Sequence, residues 1–94
     1  MKVHNLTNTG ENTCNCGSWI LHWERFSGRP RPQQCVVLGC TQPPQVGGHV
    51  QRRTGSASWY IIPICRSCNG HSGDLDVRET VELVSANVSD TCGK

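Results

Sequence analysis

Cys35, Cys40, Cys65 and Cys68 are the residues of this chain whose type and spacing most plainly do chemistry. They fall in two close pairs, one at each end of the stretch 41–64. Zinc takes four donors at the corners of a tetrahedron, with each sulfur about 2.3 Å from the metal. Two short turns, each presenting two thiolates, supply that arrangement once the chain between them folds back on itself. The second pair is a CxxC turn, Cys65-Arg66-Ser67-Cys68. The first is longer, Cys35-Val36-Val37-Leu38-Gly39-Cys40, and Gly39 is free to take a positive φ just before its ligand. A lone CxxC also suits thiol redox chemistry, but two pairs at this separation mark a structural four-cysteine zinc site.

Cys14, Cys16, His22 and Cys92 make a second set of four soft donors. Cys16 and His22 can meet across the first turns of a helix, and Cys92 would have to fold back to join them. One reading is a second structural zinc; the other is that the thiols are buried and inert, or that one of them replaces a ligand of the first site. The expected cofactor is thus structural zinc, one ion or two.

Ninety-four residues make one domain, and 35% hydrophobic content gives it a limited core. A metal staple is the expected way to hold such a fold. Seven cysteines suit a disulfide scaffold poorly because the number is odd. The start, Met1 to Asn8, has no apolar run of the kind a signal peptide needs, and no stretch is long enough to span a bilayer. The expectation is a reduced, cytoplasmic protein with no membrane partner. A net charge of +2 is too small for a bulk electrostatic nucleic-acid binder. The charge is unevenly placed, with Arg25, Arg29, Arg31, Arg52, Arg53 and Arg66 ahead of Asp74, Asp76, Glu79, Glu82 and Asp90. Either a basic face backs onto an acidic one, or these are scattered solvated side chains.

The elements that must position these donors follow from local pattern. Residues 1–13 are polar and predict a loosely held arm, with a single zinc-binding domain over 14–94. Ser18 to Phe26 predicts a short helix capped by Ser18, with Trp19, Ile20, Trp23 and Phe26 as an apolar stripe and Gly28 as its stop. The tryptophans are read as core packing ahead of base stacking. Gln34 to Leu38 predicts a short strand into the first cysteine turn, and Thr41 to Gln45 a loop. Gly48–Arg52 and Ser58–Ile64, joined through Thr54-Gly55-Ser56, predict a β-hairpin whose second strand Pro63 helps to stop. Val81–Val84 alternates as a strand would, with a short helix over Arg78–Leu83 as the competing reading.

With two cysteine turns around a hairpin, GGHV on its first strand and YIIPICRSCNGH on its second, the middle of the chain resembles the HNH family of treble-clef zinc domains. The matching part runs from about Cys35 to His71. The resemblance implies a small zinc-stabilised α+β fold with a central hairpin and, in active members, an endonuclease. There His49 would be the general base that activates water, with a Mg2+ or Mn2+ ion stabilising the charge on the scissile phosphate. His71 would be a metal contact, and Asn69 stands where the family often has Asn or His. Active members carry an acid where this chain has Gly48, and an orienting Asn where it has Tyr60. The helix after the CxxC is interrupted here by Gly70 and Gly73. The expected function is therefore a zinc module binding nucleic acid or a protein partner, with the nuclease as the alternative. The candidate phosphate contacts are Arg31, Arg52, Arg53 and Arg66, with Trp59 or Tyr60 available for stacking.

Overall fold

The computed structural model describes residues 1–6, 14–53 and 58–93. It is an α+β fold built on one antiparallel sheet. The elements in chain order are β1 (Lys2–Asn5), α1 (Trp19–Ser27), β2 (Val46–Arg52), β3 (Trp59–Ile64), α2 (Arg66–Asn69), β4 (Gly73–Asp76) and β5 (Val84–Ser85), followed by a 3-10 turn at Val88–Asp90. The strand order is β4-β1-β2-β3-β5.

Partners across an antiparallel ladder share a face, and this divides the sheet. Val3, Val50, Ile62 and Leu75 point to one side, where they pack with Ile64, Val36, Val77, Cys35 and Cys65. On the other side Ile61 and Val84 pack beneath Trp23 of α1. The predicted helix and its cap are present. The Ser18 side chain accepts from the Leu21 N–H, and Gly28 closes the far end in the left-handed region. Of the predicted stripe, Ile20 and Trp23 are buried and Trp19 is half-buried, while Phe26 is exposed and does not belong to it. Trp23 donates its indole N–H to the Glu82 carbonyl at 2.8 Å, which fixes the approach to β5.

The hairpin of β2 and β3 is present with continuous pairing from Val46↔Ile64 to Gln51↔Trp59, and its predicted turn at 54–56 lies outside the described residues. Pro63 does not stop the strand. It lies within β3 opposite Gly47, and its carbonyl faces outward to accept from the Val36 N–H. Its nitrogen points the same way, beyond the reach of β5, which pairs only with Tyr60 and Ile61. No ladder bond is lost there.

Three other expectations need correction. The polar start is not a loose arm at Lys2–Asn5, which forms β1 between β2 and β4; the rest of the expected arm, 7–13, lies outside the described residues. Gln34–Leu38 is not a strand, because its backbone groups have scattered partners. Cys35 N–H goes to Gln42, Val36 N–H to Pro63 and Leu38 N–H to Asp76, so the segment wraps around its cysteines with one bridge, Val37↔Val77. Neither competing reading of 78–84 holds in full: the strand is limited to Val84–Ser85, and Arg78–Leu83 is turn and coil. Among the described residues no helix is long and apolar enough to cross a membrane.

Candidate metal centres

The first cluster is assembled where the knuckle Cys35–Cys40 meets the N-terminus of α2. The ligand atoms of Cys35, Cys40, Cys65 and Cys68 all lie within 4.8 Å of one another. Cys40 Sγ and Cys65 Sγ are 3.7 Å apart. A tetrahedron with sulfur about 2.3 Å from its centre has edges of about 3.8 Å, so Cys40 and Cys65 stand at the separation a single zinc ion requires. The knuckle is closed by the Cys40 N–H bond to Val37 at 3.1 Å, and Gly39 adopts φ +83 to make that turn. The Cys68 N–H points at Cys65 Sγ (3.4 Å), and the Arg66 N–H bonds the Gln45 side chain (3.1 Å), joining the approach to β2 with the CxxC turn.

The electrostatics follow from burial. Desolvation pushes the Cys35 and Cys68 thiols above their ordinary range, with the neighbouring thiols adding to the effect at Cys68. Burial acts to raise Cys65 too, but the Cys68 N–H and the surrounding thiols outweigh it and draw its pKa down. Negative charge in this cluster therefore collects on Cys65, and a divalent cation at its centre would let the other thiols ionise.

The second cluster brings chain-distant groups together. Cys14, Cys16, His22 and Cys92 also offer donor atoms within 4.8 Å of one another. His22 is fully buried on α1, and its Nδ1 lies 3.7 Å from both Cys16 Sγ and Cys92 Sγ. Its other nitrogen, Nε2, is 2.9 Å from the Ser85 carbonyl oxygen. A carbonyl only accepts, so Nε2 carries the proton and the Nδ1 lone pair faces the sulfurs. Metal-binding histidines are oriented in this way by the bond their other nitrogen makes. The Asn15 N–H reaches Cys92 Sγ (3.3 Å) and lowers that thiol's pKa, while burial raises that of Cys16 against the opposing pull of Arg25, whose Nη1 is 3.8 Å away. Both clusters can hold a metal ion with four protein donors and no open position.

The predicted catalytic residues are not brought together. His49 is 4% exposed, with its ring edge-on to Trp19 at 4.6 Å on the α1 side of the sheet. Burial, and then the nearby His22, lowers its pKa. Its neighbour Gly48 faces the opposite side, toward Ile64 and the Asn69 side chain. Asn69 therefore lies across the sheet from His49. His71 is exposed after α2 and, like Asn69, gives its backbone carbonyl to the Asn5 side chain. Among the described residues neither His49 nor His71 belongs to a group of three metal donors.

Of the candidate phosphate contacts, Arg31 is held by Glu24 (2.6 Å) and Arg53 by Asp74 (3.1 Å). Arg52 and Arg66 are exposed and make no ion pair among the described residues. Two contributors escape sequence reasoning. Asn5 hides in a polar stretch, yet is buried and clamps the loop after α2. The Ser85 carbonyl, which sets the His22 tautomer, leaves no trace in residue type. No protein-family model, curated protein or solved structure matches this chain.

Proposed function

We propose that the chain is a structural two-zinc module of HNH-like layout that presents a fixed surface to a protein partner in a reducing compartment. The observation that carries the reading is the closed donor set of each cluster. Four protein ligands leave no coordination position for water or substrate, so each zinc would hold chain segments and not act as a Lewis acid. The order of knuckle, hairpin and second cysteine pair at the start of α2 agrees with the treble-clef resemblance.

Surface chemistry favours protein over nucleic acid. Leu38, at the tip of the knuckle, is 58% exposed, beside a groove of about 400 Å³ lined also by Val37, Leu75, Asp74 and Asp76. An exposed apolar tip of this kind suits a partner with an apolar anchor, while Asp74 and Asp76 beside it are already paired with Arg53 and Lys2. The arginines at 29, 31 and 53 are occupied by acids. The nuclease alternative would need His49 to reach water and a metal-bound phosphate, and its burial against Trp19 counts against that role.

Elemental analysis with thiol titration on the native protein tests the module: two zinc ions and no reactive thiol are expected. Zinc-free protein with seven titratable thiols would refute it. Polarisation titrations with labelled single- and double-stranded DNA and RNA test the partner class, and binding that weakens steeply with salt would replace the protein partner with nucleic acid. Cleavage of either nucleic acid with Mg2+ or Mn2+, lost in His49→Ala, would restore the nuclease.

A further inference from the structure

The two clusters are built differently. At the first, Cys35 and Cys65 are core residues, 0% and 2% exposed, in contact with the apolar interior formed by β1, β2, β3 and β4. Its turns are tied by backbone bonds from Cys35 to Gln42 and from Cys40 to Val37. Its ligands are thus part of the same packed unit as the core, so an ion there would be lost only when that unit opens.

At the second, only His22 is built into the fold. Cys14 and Cys16 precede α1 on irregular chain, and Cys92 follows the last 3-10 turn. All three are partly exposed. Most bonds that seat these segments are mutual or internal, such as the Asn15 N–H to Cys92 Sγ, Asn15 Nδ2 to the Cys92 carbonyl, and Gly93 N–H to Val88. The ties to the rest of the fold include Ala86 N–H to the Trp59 carbonyl, Cys14 Sγ to the Ser18 carbonyl and Arg25 Nη1 to Cys16 Sγ. Nothing apolar from either segment enters the two core clusters beyond Ala86. Three sulfurs packed around one imidazole repel one another once ionised, so an ion is what makes their approach favourable. The ordering of both segments must then come out of the metal-binding free energy, which lowers affinity relative to a site whose ligands are already fixed.

The geometry points to an exchangeable zinc site at Cys14, Cys16, His22 and Cys92, loaded and emptied while the tetrathiolate site keeps the fold. The inference rests on the zinc-module reading above. The site takes zinc(II) from a free or chelator-buffered pool and holds segments 14–17 and 86–93 over α1. When it empties, those segments swing away and uncover His22, whose ring lies between Trp19 (4.9 Å) and Phe26 (4.9 Å). The His22 ring is therefore hidden when zinc is plentiful and exposed, next to the already exposed Phe26, when it is scarce.

The test is zinc release from the two-zinc protein into a chromogenic chelator, with thiol alkylation mapped by mass spectrometry at each time. One equivalent should leave on the order of tenfold or more faster than the other, the gap set by the ordering cost. Cys14, Cys16 and Cys92 should be alkylated in that phase while Cys35, Cys40, Cys65 and Cys68 stay protected and the far-UV circular dichroism of the sheet holds. Cys92→Ser should fold with one zinc and faster amide exchange over 14–17 and 86–93. Release of both ions in one phase, or alkylation of the tetrathiolate cysteines first, would overturn the inference while leaving the two-zinc module intact. Global unfolding of Cys92→Ser would overturn it too. A protein holding no zinc at all would instead remove the module reading beneath it.

Discussion

Gly47 is where the fold leaves no room for a methyl group. A Cβ placed there would lie 2.5 Å from the Trp19 carbonyl carbon, 2.7 Å from its oxygen and 2.8 Å from the Ile20 nitrogen. These are backbone atoms of the first turn of α1 and cannot rotate away. Restoring ordinary contact at 3.4 Å needs a displacement of about 0.9 Å between β2 and the helix. Overpacking of this kind costs about 1–3 kcal/mol. Gly→Ala gains back about 0.4–1 kcal/mol from the unfolded chain, so a net loss near 1.5 kcal/mol is expected for Gly47→Ala. For a domain of this size that is a fall in Tm of about 6–12 °C. Gly48→Ala is the control on the adjacent residue. Its methyl would meet side-chain atoms, Ile64 Cδ1 at 2.5 Å and Asn69 Oδ1 at 2.9 Å. Asn69 can turn aside but Ile64 is buried, so a loss smaller than that of Gly47→Ala, about 1 kcal/mol, is expected. Because α1 carries His22, Gly47→Ala should also lose zinc selectively from the Cys14–Cys16–His22–Cys92 site. Calorimetry with zinc analysis on both variants makes the comparison. Equal melting temperatures, or a Gly47→Ala variant as stable as the parent, would refute the close approach of helix and strand.

Removing zinc with a strong chelator at neutral pH should abolish the cooperative melt, since tetrathiolate binding energy is folding energy here; an unchanged melt would show that the cysteines pack without metal. Cys65→Ser should lose the fold altogether and express as insoluble or unfolded chain, as circular dichroism would report. His22→Gln should keep one tightly bound ion and lose the second, seen as halved zinc content. With cobalt(II) in place of zinc, the parent should show the thiolate charge-transfer absorption of two sites and His22→Gln that of one. His49 has a folded pKa below its ordinary 6.5, so the native state binds fewer protons than the unfolded chain as pH falls through that value. Its contribution is full above pH 6.5 and shrinks below it. Denaturant midpoints taken between pH 7.5 and pH 5.5 should thus fall more steeply for the parent than for His49→Gln.

Much of the site was legible in the residues because zinc imposes its own spacing. Two cysteine pairs around a hairpin announced the tetrathiolate cluster, and Ser18 with its apolar stripe announced α1. What stayed hidden was the set of structures fixed from a distance. The first strand reads as polar because its inward residues are Val3 and Asn5, and only the contact of Asn5 with the loop after α2 makes an amide fit there. The strand at Gly73–Asp76 is similarly masked: its Asp74 and Asp76 lie on the α1 side of the sheet but on its far edge strand, where they meet Arg53, His4 and Lys2. The Gln34–Leu38 segment has strand-like residues, but its hydrogen bonds are divided among Gln42, Pro63, Asp76 and Arg78, so no one strand pairs with it. The meeting of Cys92 with Cys16 depends on the return of the chain after β5, which no local pattern encodes. Gly47 carried a hint, since a glycine in a strand interior marks a close neighbour, although not which one.

The sheet order has a consequence for how the molecule is made. A chain growing from its amino end completes the tetrathiolate ligands at Cys68, before β4 exists to flank β1. Zinc can therefore clamp the hairpin while the sheet is still open on one side. Strand β1 must wait beside β2 until residues 73–76 emerge, and the pairing of chain ends that seats it is slow by its sequence separation. The Cys92 site comes last of all. If the cluster takes its ion, metal capture would precede closure of the sheet, and the later pairing would be organised around that ion.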